Sequence, residues 1–92
     1  MQGTIVRARV EAYGRVQGVF YRDTVRRAAI AFGVAGSAIN RSDGAVEMVF
    51  EGSQAAVDKA IEAAREGSRG AAVERLEIEW QSTEGLTGFT TG

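Results

Sequence analysis

The sequence predicts an α+β domain made of two strand-helix-strand halves, and three observations predict it. Four segments read as strands: Thr4–Tyr13, Val34–Asn40, Ala45–Glu51 and Val73–Trp80. Two others, beginning at Tyr21 and Gln54, repeat apolar residues at helical spacing. Their order is strand, helix, strand, then strand, helix, strand, within about 80 residues. That order fits a ferredoxin-like split β-α-β sandwich (βαββαβ): a four-stranded antiparallel sheet with both helices on one face.

Each element follows from its residues. In Thr4–Tyr13, Val6, Ala8, Val10 and Ala12 share one face and Arg7, Arg9 and Glu11 the other, as in a half-buried strand. A loop containing Gly14 and Gly18 follows. From Tyr21 the period changes: Tyr21, Val25, Ala28 and Phe32 fall on one helix face, and Gly33 stands where a C-terminal cap belongs. Val34–Asn40 reads as a second strand, weakened by Gly36. Asn40–Gly44, with the pair Asp43-Gly44, supplies turn chemistry. In the third strand Val46, Met48 and Phe50 oppose Glu47 and Glu51. Ser53 caps a helix over Gln54–Glu66, whose inner face is Val57, Ala60, Ile61 and Ala64, and Gly67 ends it. The fourth strand turns Leu76, Ile78 and Trp80 inward against Glu77 and Glu79. Leu86 and Phe89 are anchors for a short fifth strand.

The totals narrow the function. A chain of 92 residues predicts one domain, residues 1–92. No apolar run reaches the roughly 20 residues of a membrane span. The charged, alternating N-terminus resembles neither a signal nor a transit peptide, so a cytoplasmic location and no membrane partner are expected. With 11 basic and 12 acidic residues the net charge is −1, which argues against nucleic-acid binding. The open sheet face supports that expectation, since its carboxylates repel phosphate and no run of base-stacking aromatics is present. There is no Cys and no His. Thiolate chemistry, the commonest general base and the commonest zinc ligand are therefore absent. Asp23 and Asp43 read as a helix first-turn acid and a turn residue rather than metal ligands. Any catalysis must run on Arg, Asn, carboxylates, hydroxyls and backbone amides.

Two places carry such groups. The loop in "YGRVQGVFYR", Tyr13–Arg22, runs into a helix start. The first amides of a helix lack internal partners and sit at the positive end of its dipole, so they can hold an anion. Arg22 adds a planar fork suited to phosphate. A tight turn beside a solvated arginine is the plainer reading. Asn40 ends the second strand, which runs parallel to the first and so finishes at the same sheet edge as the glycine loop. There its amide can orient a water or simply shape the turn.

Taken together the two segments resemble the acylphosphatase family. Val16, Gln17, Gly18 and Val19, followed by Tyr21 and Arg22, fit that family's loop signature. Gly36, Asn40, Gly44, Val46 and Gly52 keep register with its second signature, and the likeness continues through Gly67–Leu76. The resemblance implies hydrolysis of a small-molecule acyl phosphate to a carboxylate and inorganic phosphate, with no metal and no cofactor. Arg22 would bind the phosphate with the amides of Arg15, Val16, Gln17, Gly18 and Val19, and Asn40 would position the attacking water. A monomer is expected. The residue inventory agrees. A carboxylate leaving group, with a pKa near about 4–5, needs no general acid. A loose phosphoryl transfer asks more for positioning of the water than for a strong base. The residues also admit a rival: a phosphate- or anion-binding regulatory module without turnover. Three positions depart from the family pattern. Ser37 replaces a large aromatic and Ile39 a basic or polar residue, both on the strand that carries Asn40, so a less filled strand is expected there. Ser68 replaces a frequent proline.

Overall fold

A computed structural model describes residues 4–92. Residues 1–3, part of the expected domain, lie outside the described residues. The elements are β1 (Ile5–Arg15), α1 (Tyr21–Phe32), β2 (Ala35–Asn40), β3 (Val46–Ser53), α2 (Gln54–Glu66), β4 (Ala72–Gln81) and β5 (Phe89–Thr91). The sheet order is β4-β1-β3-β2-β5. Four strands pair antiparallel, as the sequence predicts, but β5 joins β2 in parallel, so the sheet is mixed rather than antiparallel. The physical reason is the tail. After β4 the chain crosses beneath the sheet's open face and enters beside β2 running in the same direction.

Both helices cover one face. Ala8, Val10, Ala12, Ala38, Val46, Met48 and Phe50 from the sheet meet Tyr21, Val25 and Ala29 of α1 and Val57, Ala60, Ile61 and Ala64 of α2. Period-two alternation in the strands and helical spacing in α1 and α2 thus bury the expected stripes, with two corrections. In α1 the buried residue of the third turn is Ala29, while Phe32 at the helix end is exposed. In β4 Val73 and Leu76 pack against the core; Ile78 and Trp80 point to the helix face but stay largely exposed. β4 is an edge strand, and its end beyond Leu76 is left largely uncovered.

α2 is capped as expected: the Ser53 hydroxyl accepts from Ala56 N–H at 3.2 Å. The β2–β3 turn spans residues 41–45, where the Asp43 carboxylate accepts from Ala45 N–H. Gly14 lies within β1 rather than in the loop. It marks a bulge where the register against β4 shifts, and a Cβ there would overlap the Ala72 carbonyl oxygen. Opposite the helices the sheet face is charged, with Arg7 beside Glu51 and Arg9 between Glu11 and Glu47.

Candidate active site

The ends of β1 and β2 point to the same edge of the sheet, so the loop before α1 and the turn after Asn40 are neighbours. The Gln17 amide ties them together, donating to the carbonyls of Arg41 at 2.8 Å and Ala45 at 2.9 Å. From the other side the Ser68 hydroxyl donates to the Val19 carbonyl at 2.6 Å. Val16 anchors the loop by burying its side chain in the core. Gly18 has φ +73 and Phe20 φ +60, while Val19 between them does not. Such alternation of hand turns successive N–H groups toward one concavity, an arrangement that suits anions.

Helix α1 begins at that concavity with no side-chain cap, because its N-cap residue is Phe20. The contrast with α2 is direct: one helix start is satisfied by a serine, the other leaves its first amides free for a ligand. In front of it lies a cavity of about 320 Å³ lined by Val16, Gly18, Phe20, Tyr21, Arg22, Asp23 and Thr91. Tyr21 closes the inner wall. Its ring is buried and its hydroxyl donates to the Ala64 carbonyl at 2.7 Å; burial also raises its pKa well above the ordinary value for tyrosine.

Arg22, in the first turn of α1, is half-buried and donates from Nη1 to the main-chain oxygen of Gly92. That same oxygen accepts from the backbone N–H of Asn40 at 3.1 Å. One oxygen of the tail strand therefore joins the arginine and the asparagine. Most of the guanidinium's five donors remain for a ligand. Asn40 lies on the helix face of β2, in line with buried Gly36 and Ala38. Its Oδ1 is buried without a hydrogen-bond partner, the one such side-chain atom among the described residues. A buried acceptor left unpaired is costly, and a water donating to it removes that cost.

Val16, Gly18 and Arg22 line the cavity together. Gln17 and Val19 hold the loop from behind. Arg15 leads into the loop as the last residue of β1, paired with Ala72. Asn40 stands at the neighbouring strand end, outside the cavity's lining. Asp23 contributes no net negative field: it is ion-paired with Arg26 and Arg27 at 2.8 Å each, and these two, Arg26 first, hold its carboxyl below the usual range. Among the described residues no group of three acidic side chains is placed to hold a metal.

Ser37 and Ile39 point to the face of β2 opposite Asn40, where Ile39 is about half exposed. The sequence reading missed four contributors: Phe20, Thr91, the Gly92 oxygen and the Ser68 hydroxyl. Ser68 gave a signal, as a hydrogen-bonding residue at a position that usually holds proline. The Gly92 contact, 70 residues from Arg22, gave none.

Fold and site together define a small α+β protein whose uncapped helix start, flanked by an arginine and an unpaired asparagine, can hold a phosphoryl group. Comparison with known proteins agrees. The acylphosphatase family model matches residues 8–91. An acylphosphatase of Gloeobacter violaceus is 49% identical over 94% of this chain and 92% of its own length. One from Pyrobaculum islandicum is 47% identical over 87% of this chain and 85% of its own. The crystal structure of acylphosphatase from Bacillus subtilis matches with a TM-score of 0.92 at 34% identity, covering 95% of this chain and 98% of that one. The chain belongs to the acylphosphatase family. It is an enzyme, and its reaction is the hydrolysis of acyl phosphates to a carboxylate and inorganic phosphate.

Proposed function

We propose that this hydrolysis runs on Arg22, the amides of the Arg15–Val19 segment and Asn40, acting on a small-molecule acyl phosphate without metal or other cofactor. The observation that carries the reading is the joint position of Arg22 and Asn40 on one Gly92 oxygen, with Asn40 Oδ1 left unpaired. The phosphoryl oxygens bind to the Arg22 guanidinium, the loop amides and the free amides of α1. A water donates one hydrogen bond to Asn40 Oδ1, which leaves its lone pair free to attack phosphorus. The P–O bond to the acyl oxygen breaks, the electron pair leaves with the carboxylate, and the water's protons end on phosphate. The leaving group is stable as an anion, so no side chain need protonate it. The protein's task is positioning and charge stabilisation.

The experiment is hydrolysis of acetyl phosphate by wild type, Arg22→Ala and Asn40→Ala, with a chelator present. Each substitution is expected to lower kcat/KM by at least about 10²-fold while the fold stays intact by circular dichroism, as for loss of a donor to a developing charge. Chelator is expected to change nothing. Full activity in Asn40→Ala would overturn the water-positioning role. Tight phosphate binding by wild type without turnover would make the site a binding module.

The same proposal includes one domain over residues 1–92 acting as a monomer in the cytoplasm, with no nucleic-acid partner. The open sheet face supports the last point. Arg9 and Arg41 are engaged by Glu11, Arg7 by Glu51, and Arg75 lies 4.0 Å over the Tyr13 ring. Among the described residues no helix is long and apolar enough to cross a membrane.

A further inference from the structure

Phe20 stands apart from every other aromatic residue of the fold. It is 82% exposed, more than any other large apolar side chain among the described residues. It is also the one described non-glycine residue with a positive φ. A Cβ makes that backbone region unfavourable, and glycine, asparagine or aspartate would serve the turn with less strain. The loop's other apolar anchors behave differently: Val16 and Tyr21 are buried at 1% exposure each. Packing therefore does not explain why a phenyl ring is held outward here. Phe20 lines the same cavity as Gly18, Arg22 and Thr91.

Resting on the assignment of phosphate binding to Arg22 and the loop amides, we propose that Phe20 is the specificity-determining residue for the acyl half of the substrate, favouring apolar and above all aromatic acyl groups. In-line displacement puts the attacking water and the leaving carboxylate on opposite sides of phosphorus. Asn40 marks the water's side and does not line the cavity. Phe20 does line it, so the leaving acyl group emerges across the phenyl ring. A flat, apolar acyl group gains contact area and ring stacking there, while an acetyl group gains little. Thr91, the polar residue of the lining contributed by β5, leaves the ring as the main apolar surface at that mouth.

The test compares kcat/KM for benzoyl phosphate and acetyl phosphate in wild type, Phe20→Gly and Phe20→Trp, with Arg22→Ala as a control. Phe20→Gly suits the positive φ, so the variant is expected to fold. The benzoyl-to-acetyl ratio is expected to fall about fivefold in Phe20→Gly, through KM for benzoyl phosphate, as loss of one ring contact implies. Phe20→Trp should restore it. An unchanged ratio in Phe20→Gly, with Arg22→Ala inactive, overturns this proposal alone. An equal fall for both substrates does the same, because Phe20 would then serve only the shape of the loop. If Arg22→Ala retains full turnover of acetyl phosphate, the site assignment fails and this proposal fails with it.

Discussion

At the scale of single residues, the site depends on side chains that turn away from it. Gln17 and Ser68 face the hairpin and the 67–70 turn, yet they hold the loop that borders the cavity. Ser68 also engages the Val19 carbonyl, an oxygen that would repel a phosphate if it faced inward. Ser68→Ala is expected to cost about 1 kcal/mol of stability, the worth of one such hydrogen bond. It should also raise KM for acetyl phosphate severalfold with a smaller change in kcat, and Ser68→Thr should restore both. Urea unfolding and steady-state kinetics on the three proteins check this. Arg22 and Asn40 are legible in the sequence as candidates through the family resemblance of their segments, since by type alone they also read as a solvated arginine and a turn asparagine. Phe20 is not, since an aromatic residue at a helix start reads as core until its backbone and exposure are known.

At the scale of elements, the tail strand decides the site's geometry, and Glu51 secures the tail. Its carboxylate is buried, although alternation along β3 places it on the outer face. The tail covers it: Glu51 accepts from the backbone N–H groups of Glu84 (3.0 Å), Gly85 (2.7 Å) and Leu86 (3.1 Å), with Arg7 at 3.3 Å. Beyond that turn Phe89 stacks on Phe50 across Gly36, ring centroids 6.1 Å apart, and β5 then delivers Gly92 to Arg22 and Asn40. These donors, the Glu84 amide first, hold the Glu51 carboxyl below its ordinary value of 4.5. A carboxyl depressed in the folded state binds its proton first in the unfolded chain. Its stabilisation is therefore present above about pH 4.5 and lost as pH falls through the lower folded value. Glu51→Gln is expected to be less stable than wild type at pH 7 and to lose less further stability between about pH 5 and pH 3. Denaturant midpoints across that range test it, and parallel loss of stability in the two proteins would refute it. Periodicity exposes β1, α2 and β3 to sequence reading. A three-residue strand with one apolar anchor carries almost no periodic signal, and nothing local records its parallel direction.

At the scale of the whole molecule, one sheet face makes the core and the other carries paired charges. Phe50, in the central strand β3, is fully buried, whereas Trp80 near the end of edge strand β4 is about half exposed. Phe50→Ala is expected to destabilise by about 3–5 kcal/mol, and Trp80→Ala by less than about 1 kcal/mol although the side chain is larger. Chemical denaturation orders the two, and a cost for Trp80 near that of Phe50 would mean the β4 end is covered in solution. Away from the buried Arg7–Glu51 pair, the more exposed pairs of the charged face, such as Arg9 with Glu47, contribute little each, about 0–1 kcal/mol.

The order of elements, both helix boundaries on α2, and the apolar faces of β1 and β3 were determined by sequence alone. These depend on residues within a turn or two of one another, and period and residue type record them. Tertiary structure alone decided that β5 runs parallel, that Glu51 is buried, that Ile78 and Trp80 stay uncovered, and that one Gly92 oxygen joins the arginine to the asparagine. Each depends on which surfaces the folded chain brings together from distant positions. A pattern local in sequence carries no record of such a meeting.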